Sequence, residues 1–304
     1  MRYFPTPEII QYGDLRHGFE KFVEKSTRCH LFPILSVLNQ LPSKPNAEII
    51  TWRGVLTRIL GTSFDHRTDW SMVGCLKNGI LFIEEERLVK VQSPKEKMST
   101  YWGHKFENLC LVPHDLPPHN VQSLSIRRET PVNTNSEFDS VLKAKLGKYR
   151  FIIGAEIDGV DESGEYVELK TTKQIRSAWD QNIYNDKLMK YWLQSYLAGV
   201  PKIIVGVRDS KGCLRTLETI PTNQIPRTVH GRVVWDPAAI LLMGEIFFDW
   251  LYEQINRDKP ADGGDFVFHI CHSAEDGGAI KYDTDYGISP VLPEWYKYYE
   301  EPSK

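Results

Sequence analysis

Two short stretches carry charge where strand-forming residues dominate: "GAEIDGV" at 154–160 and "YVELKTT" at 166–172. Glu156 and Asp158 are separated by Ile157, and Glu168 and Lys170 by Leu169. In an extended strand, residues two apart point to the same face. Each charged pair therefore shares a face, with Ile157 and Leu169 turned the other way. The intervening "DESGE" has turn chemistry, which predicts a hairpin that converges the four charged side chains on one patch. Clustered carboxylates repel and are costly to desolvate unless a cation neutralises them. An oxygen-rich set of this kind suits a hard divalent ion, Mg²⁺ or Mn²⁺. A lysine beside it positions a water or stabilises charge developing on a phosphoryl oxygen. The ordinary alternative is a solvent-facing hairpin with a cross-strand pair such as Asp158 with Lys170. The flanking apolar residues Phe151, Ile152, Ile153, Val160 and Val167 argue for a central, buried position and so for the metal reading.

The elements that must position these residues follow from periodicity and punctuation. Residues 14–40 read as helical, interrupted at Pro33, and 41–46 as a loop. Residues 47–60 begin as a strand and end with either strand or helix periodicity. Residues 74–87 predict a hairpin turning at Asn78-Gly79. Residues 101–109 suit a strand or the start of a helix, and the proline-rich 111–120 a loop. A helix is expected over 180–199, closed by Gly199 with Pro201 beyond it. A hairpin is expected over 202–220, around Ser210-Lys211-Gly212, and an amphipathic helix over 237–255 behind the N-cap Asp236. The Gly-rich stretches after Asp258 give weak patterns. Strands and helices alternate without a regular βαβ rhythm, so the expected class is α+β, with mixed, largely antiparallel sheets packed with helices.

A chain of 304 residues is long enough for one large domain or two small ones. No linker, repeat or low-complexity segment divides it, so the expectation is a single domain over residues 1–304. No apolar run approaches a membrane span, and residues 1–5 have no apolar signal region. The five cysteines (Cys29, Cys75, Cys110, Cys213, Cys271) are scattered and odd in number, which points to free thiols in an intracellular, reducing setting. A net charge of −3 argues against a protein that coats long nucleic acid electrostatically, but not against a nuclease with a local cluster of acids. Gln194 lies one and two helical turns from Lys190 and Lys187, among Tyr191, Trp192 and Tyr196, a face that could offer cations and aromatics to a nucleotide. An amphipathic helix with core aromatics explains the same aromatics. "HICH" at 269–272 invites a zinc reading, but no second ligand pair stands at a suitable spacing.

An acid on one strand with Glu-x-Lys on the next resembles the PD-(D/E)xK nucleases, and five motifs in order narrow the resemblance to the decapping exoribonuclease (DXO) family. They are "ITWRGVLTRI" (50–59), "YWGHKFE" (101–107), "GAEIDGV", "YVELKTT" and "KLMKYWLQSYLAGVPKIIVGVRD" (187–209). The resemblance implies a PD-(D/E)xK-like catalytic core and assigns Glu107, Asp158 and Glu168 as ligands of a divalent metal. It places the backbone carbonyl of Leu169 in the same shell and Glu156 on a second ion. Lys170 and Gln194 would hold the reactive phosphate and its attacking water. Arg53, with Arg58 as its rival, would contact the RNA 5′ end, and Lys187 would join the substrate-binding face. His104 stands where the family usually has tyrosine. The resemblance also sets the start of the chain near the family's "RYY"-type opening, so the chain is expected to be short at its N-terminus.

The function implied is metal-dependent hydrolysis at RNA 5′ ends in the nucleus or cytoplasm, acting on triphosphate, incompletely methylated or NAD-type caps, with 5′→3′ exoribonuclease activity in some members. Two alternatives stay open. One is a protein that mainly binds and stabilises a nuclear 5′→3′ exoribonuclease. The other is a DNA-directed PD-(D/E)xK nuclease. No membrane partner is expected.

Overall fold

The structure, a computed structural model, describes residues 1–3, 7–25, 30–43, 45–86, 92–112, 121–135, 137–229, 235–261, 266–285 and 291–296. Strand β1 (Arg2–Tyr3) is followed by 3-10 turns at Pro7–Ile10 and Phe19–Lys21. The helix expected over 14–40 is confined to α1 (Phe32–Leu38). Pro33 sits in its first turn, where a missing N–H is harmless, rather than breaking it. The ambiguous 47–60 becomes β2 (Ile49–Trp52) running straight into α2 (Arg53–Gly61). β3 (Trp70–Lys77) and β4 (Ile80–Glu86) form the expected hairpin. Asn78 and Gly79 adopt φ of 50° and 75°, the left-handed pair that such a two-residue turn requires.

α3 (Pro94–Cys110) opens on a capping box in which Ser93 and Glu96 bond each other's backbone, with Pro94 in the first turn. β5 (Leu111–Val112) corrects the start of the expected 111–120 loop, and residues 113–120 lie outside the described residues. Then come α4 (Val121–Glu129), β6 (Asp139–Leu146), β7 (Tyr149–Glu156), β8 (Gly159–Val160) and β9 (Tyr166–Lys173). α5 (Ala178–Leu197) is capped by Ser177, whose side chain accepts the N–H of Asp180, and Gly199 beyond it takes φ 66°. β10 (Lys202–Arg208) and β11 (Leu214–Pro221) form the predicted hairpin. α6 (Pro237–Asp258) starts behind Asp236, whose side chain accepts the N–H of Ala238. β12 (Phe266–His272) and β13 (Ile280–Asp285) follow.

The chain divides into two compact units. The first comprises Met1–Thr27, Lys90–Asp139 and Glu156–Val234. Its sheet has the order β11-β10-β9-β8-β1-β5, with β9 parallel to β10 and antiparallel to β8. Val167, Leu169, Ile204 and Leu214 on one face of that sheet pack with Phe106, Leu109 and Cys110 of α3. The second unit comprises Arg28–Val89, Ser140–Ala155 and Trp235–Lys304. Its sheet runs β13-β12-β3-β4-β2-β7-β6, and its core gathers Leu31, Ile34 and Leu35 of the α1 region with Ile50, Phe82 and Ile152. Both sheets mix parallel and antiparallel pairs, the α+β class expected. Cys75, Cys110, Cys213 and Cys271 are free thiols, and Cys29 lies outside the described residues. Among the described residues no helix is long and apolar enough to cross a membrane.

The long hairpin expected between 151 and 173 does not form. β7 pairs with β2, while β9 pairs with β8 and β10. The strand ends at Glu156, and only Gly159–Val160 pairs back onto β9. The turn itself is built as its residues demand. The Asp161 carboxylate accepts the N–H groups of Ser163 at 2.9 Å and Glu165 at 3.0 Å, and it also pairs with Lys202.

Candidate active site

α3 supplies one wall of the site, and its sequence shows why it sits where it does. Tyr101, Phe106, Leu109 and Cys110 are buried, and the Tyr101 hydroxyl donates to the carbonyl of His17 at 2.5 Å. Lys105 is 0% exposed, and its Nζ donates to the carbonyls of Arg127, Arg128 and Thr130 at 3.4, 2.5 and 3.3 Å. These oxygens close the C-terminal turn of α4, where a cation meets both orphan acceptors and the negative end of the helix dipole. Burial pushes the Lys105 ammonium down to about 8. Two residues on, Glu107 turns away from this core into a cavity of about 500 Å³. Glu156, Asp158, His104, Asn108 and Phe138 line the same cavity. His104 Nδ1 lies 3.2 Å from the Glu107 carboxylate. That hydrogen bond raises the imidazole's affinity for a proton against the opposing effect of burial, with help from the charges of Glu107 and Glu156.

Asp158 sits in the gap between β7 and β8, and its Oδ2 accepts the N–H of Leu169 at 2.5 Å. That bond locks the carboxylate against β9. Burial, followed by the charges of Glu168 and Glu107, raises its proton affinity well above the usual carboxylate range, and Lys170 opposes this. Glu168 is 1% exposed, and its Oε1 accepts from Lys170 Nζ at 2.6 Å. Lys170 Nζ also stands over the Tyr191 ring, 5.8 Å from its centre, and the Tyr191 hydroxyl donates to the Thr171 carbonyl at 3.1 Å. The Leu169 side chain is buried in the core, so this residue can offer the site only its backbone.

The carboxylates are thus brought together, though by a different route from the one the alternation predicted. Glu156 ends a strand of one sheet, and Asp158 precedes a strand of the other, so a single continuous strand does not aim them. On α5, Lys187, Tyr191 and Gln194 fall at i, i+4 and i+7, one stripe of the helix. Tyr191 fixes that stripe against β9, and Lys190 is exposed. Gln194 is half-buried, and its side chain makes no hydrogen bond to a described residue. Arg53 opens α2 in the second unit and is 9% exposed there. Its rival Arg58 is taken up by Glu85 at 3.0 Å.

Sequence reasoning passed over Arg208, whose guanidinium stacks 4.2 Å from the centre of the Trp102 ring. The two residues come from β10 and α3, and no local pattern relates them. "HICH" is spent elsewhere. His269 pairs with Glu86 at 3.2 Å, and His272 Nδ1 lies 3.1 Å from the Thr68 carbonyl with its ring stacked on Trp70.

Hard oxygen donors that repel one another are the right chemistry for a divalent cation. Among the described residues, no three His, Cys, Asp or Glu side chains are already gathered as a finished cage. Lys170 engages Glu168, and the backbone of Leu169 engages Asp158, so each is held near the others by a partner that a cation would compete with.

A family model described as "RAI1 like PD-(D/E)XK nuclease" matches residues 1–297. The decapping nuclease RAI1 of Aspergillus fumigatus is 34% identical over 283 residues, covering 84% of this chain and 77% of that protein. The solved structure of S. pombe Rai1 in complex with 3′-FADP has a TM-score of 0.74 at 26% identity, covering 94% of this chain and 86% of that one. Candida albicans Rai1 in complex with pU5-Mn²⁺ shares the fold, with a TM-score of 0.81 at 21% identity over 94% of this chain and 82% of that one. This chain belongs to the RAI1-like PD-(D/E)XK nuclease family.

Proposed function

We propose that this nuclease-family hydrolase removes aberrant 5′ ends from RNA: triphosphate, incompletely methylated and NAD-type caps, with release of further nucleotides from the exposed end. The observation that carries the reading is the convergence of Glu107, Asp158 and the buried Glu168–Lys170 pair beside a cavity of about 500 Å³. Glu107, Asp158, Glu168 and the carbonyl of Leu169 would hold a Mg²⁺ or Mn²⁺ ion, with Glu156 on a second. Such ions supply charge neutralisation and an activated water. The chain's own residues do the rest. Lys170 is held by Glu168 and Tyr191 in one geometry, so its ammonium is aimed at a phosphoryl oxygen before substrate arrives. Gln194, free of described hydrogen-bond partners, offers an amide to the same phosphate or its attacking water. The apolar part of the cavity wall, Leu111, Val132, Phe138 and Ile157, excludes bulk water and receives the base or cap group. We take both units as one functional domain because a single family model runs through both.

The complexes of S. pombe Rai1 with 3′-FADP and of Candida albicans Rai1 with pU5-Mn²⁺ are consistent with nucleotide and RNA ligands for this chain. The test is incubation with RNAs bearing triphosphate, GpppN, NAD and monophosphate ends, and with DNA of the same sequence, products being separated by size. Turnover of at least one modified RNA end in Mg²⁺ or Mn²⁺, with DNA untouched, is the expected result. Turnover of DNA alone would replace the proposal with a DNA-directed nuclease. No turnover, together with capture of a 5′→3′ exoribonuclease, would replace it with a binding partner of that enzyme.

A further inference from the structure

Two buried cations of the first unit have no carboxylate partner, and each is held instead by the end of the other's helix. Lys105 of α3 donates to the carbonyls of Arg127, Arg128 and Thr130, which close α4. Arg127 of α4 returns the contact. Its Nη1 donates to the carbonyls of Leu109 at 2.5 Å and Leu111 at 3.3 Å, which close α3. Its Nε donates to the Ser123 carbonyl of its own helix at 3.3 Å, so the guanidinium is fixed from both helices. Lys105 is 0% exposed and Arg127 5%, and neither pairs with an acid among the described residues. Taking two charges out of water costs more than burying apolar side chains of the same volume, and Leu109 and Leu124 of these helices already share one apolar core. What the cations add to apolar contact is direction, because hydrogen bonds to helix-end carbonyls fix how far each helix is turned about its axis. Glu107 stands two residues from Lys105, about 200° round the helix, so the anchored face of α3 lies opposite the face that carries the carboxylate. Side-chain atoms sit about 6 Å from a helix axis, so a turn of about 10° would carry the Glu107 carboxylate about 1 Å. Metal–oxygen distances tolerate only about 0.2 Å. Arg127 and Thr130 line the same cavity as Glu107 and Asp158, so the clasp also joins two of its walls.

We propose that Lys105 and Arg127 are positioning residues: by capping each other's helices they fix the rotation of α3 and hold Glu107 where it shares a divalent ion with Asp158. The inference rests on the metal-site reading above and deepens it. In this assignment neither cation touches the ion or the substrate. Their loss therefore acts on metal affinity, and on the metal concentration that hydrolysis requires, rather than on RNA binding.

The test measures Mn²⁺ binding to the full chain by calorimetry at neutral pH, with melting curves recorded in EDTA. Lys105→Met and Arg127→Met keep most of the apolar bulk of each side chain and remove its donors. Each is expected to weaken Mn²⁺ about tenfold, the effect of losing a group that orients a metal ligand. Thr222→Val removes a buried hydrogen bond to the Val200 carbonyl elsewhere in the same unit and controls for stability alone. It should melt lower as well, yet bind Mn²⁺ within about twofold of wild type. Saturating Mn²⁺ should restore most of the hydrolysis in the two Met variants with KM for RNA unchanged, which a general loss of folding would not do. If the Met variants fail to fold, Arg127→Lys, which keeps a cation but reaches fewer of the carbonyls, decides. A loss of Mn²⁺ affinity of about threefold in that variant upholds the positioning role, and unchanged affinity overturns it. Folded Met variants that bind Mn²⁺ as wild type does overturn the proposal and leave the metal site standing. A matching loss in Thr222→Val assigns the effect to stability and overturns it too. A wild-type chain that binds no Mn²⁺ overturns both the proposal and the metal site.

Discussion

A carboxylate pressed into a site that already holds two others keeps its proton longer than one in water, and Asp158 is in that position. Without a divalent ion, the folded protein must surrender that proton as the pH rises from the ordinary carboxylate range through the raised value. Over that window the unfolded chain holds fewer protons than the folded one, so stability falls. Asp158→Asn removes the titration while leaving an oxygen to accept the N–H of Leu169. In EDTA the variant should therefore melt no lower than wild type at neutral pH and show a flatter pH dependence. Hydrolysis in Mg²⁺ or Mn²⁺ should fall by about 10²-fold or more. Melting curves from pH 4 to 8 and a cleavage assay check both halves, and full activity in the variant would remove Asp158 from the site. The spacing of Glu156, Asp158, Glu168 and Lys170 was readable because acids so costly to bury seldom stand between apolar strand residues without a partner. The Arg208–Trp102 stack was unreadable because the two residues meet only in the folded chain.

Asp209 shows how a single side chain can hold an entire β-turn, here the one that presents Arg208. Its Oδ1 accepts the N–H groups of Lys211 at 2.8 Å and Cys213 at 3.0 Å, and its Oδ2 accepts from Arg215 at 2.6 Å. The backbone bond from Cys213, and then the Arg215 guanidinium, hold the carboxyl down to about 2. Depressed below its unfolded value, the group stabilises the fold above the ordinary Asp range, and that contribution disappears as the pH falls through about 2. Wild type should lose melting temperature between pH 4 and 2, and Asp209→Asn should lose less there while melting lower at pH 7. Equal slopes in the two proteins would mean that the turn is held by its backbone alone. Hairpins of this kind were legible because Asn78-Gly79 and Ser210-Lys211-Gly212 have few conformations open to them. The break at Ile157-Asp158 was not, because alternation reports that residues are extended and not which strand they pair with. The same holds for α1, where apolar spacing over 14–40 was read as helical with an interruption at Pro33, but only Phe32–Leu38 forms a helix.

Pairing partners also set which segments make up the two compact units. β2 joins β7, β12 joins β3, and β1 joins β8, each across a long stretch of sequence. Local periodicity carries no record of such pairings. Net charge, by contrast, is legible from the sequence, and it constrains how the proposed RNA substrate would be bound. With a total of −3, the protein as a whole does not attract a polyanion, so affinity must come from the few cations that the fold aims at phosphate. On the proposed reading, Lys170, Lys187 and Arg208 are three candidates for that role. At about 0.7 per phosphate on a single strand, they give an expected slope near −2 for log K against log salt. A nuclease that tracks along its substrate engages many more phosphates, and its slope is correspondingly steeper. If the grip is confined to the 5′ end, lengthening the RNA from about five nucleotides to about twenty should change neither the slope nor the affinity by more than about twofold. Titration of both lengths between about 50 and 300 mM salt decides the matter. A slope beyond about −5 on the longer RNA would mean that an extended basic path exists, and the picture of a pocket that grips only the 5′ end would have to be abandoned.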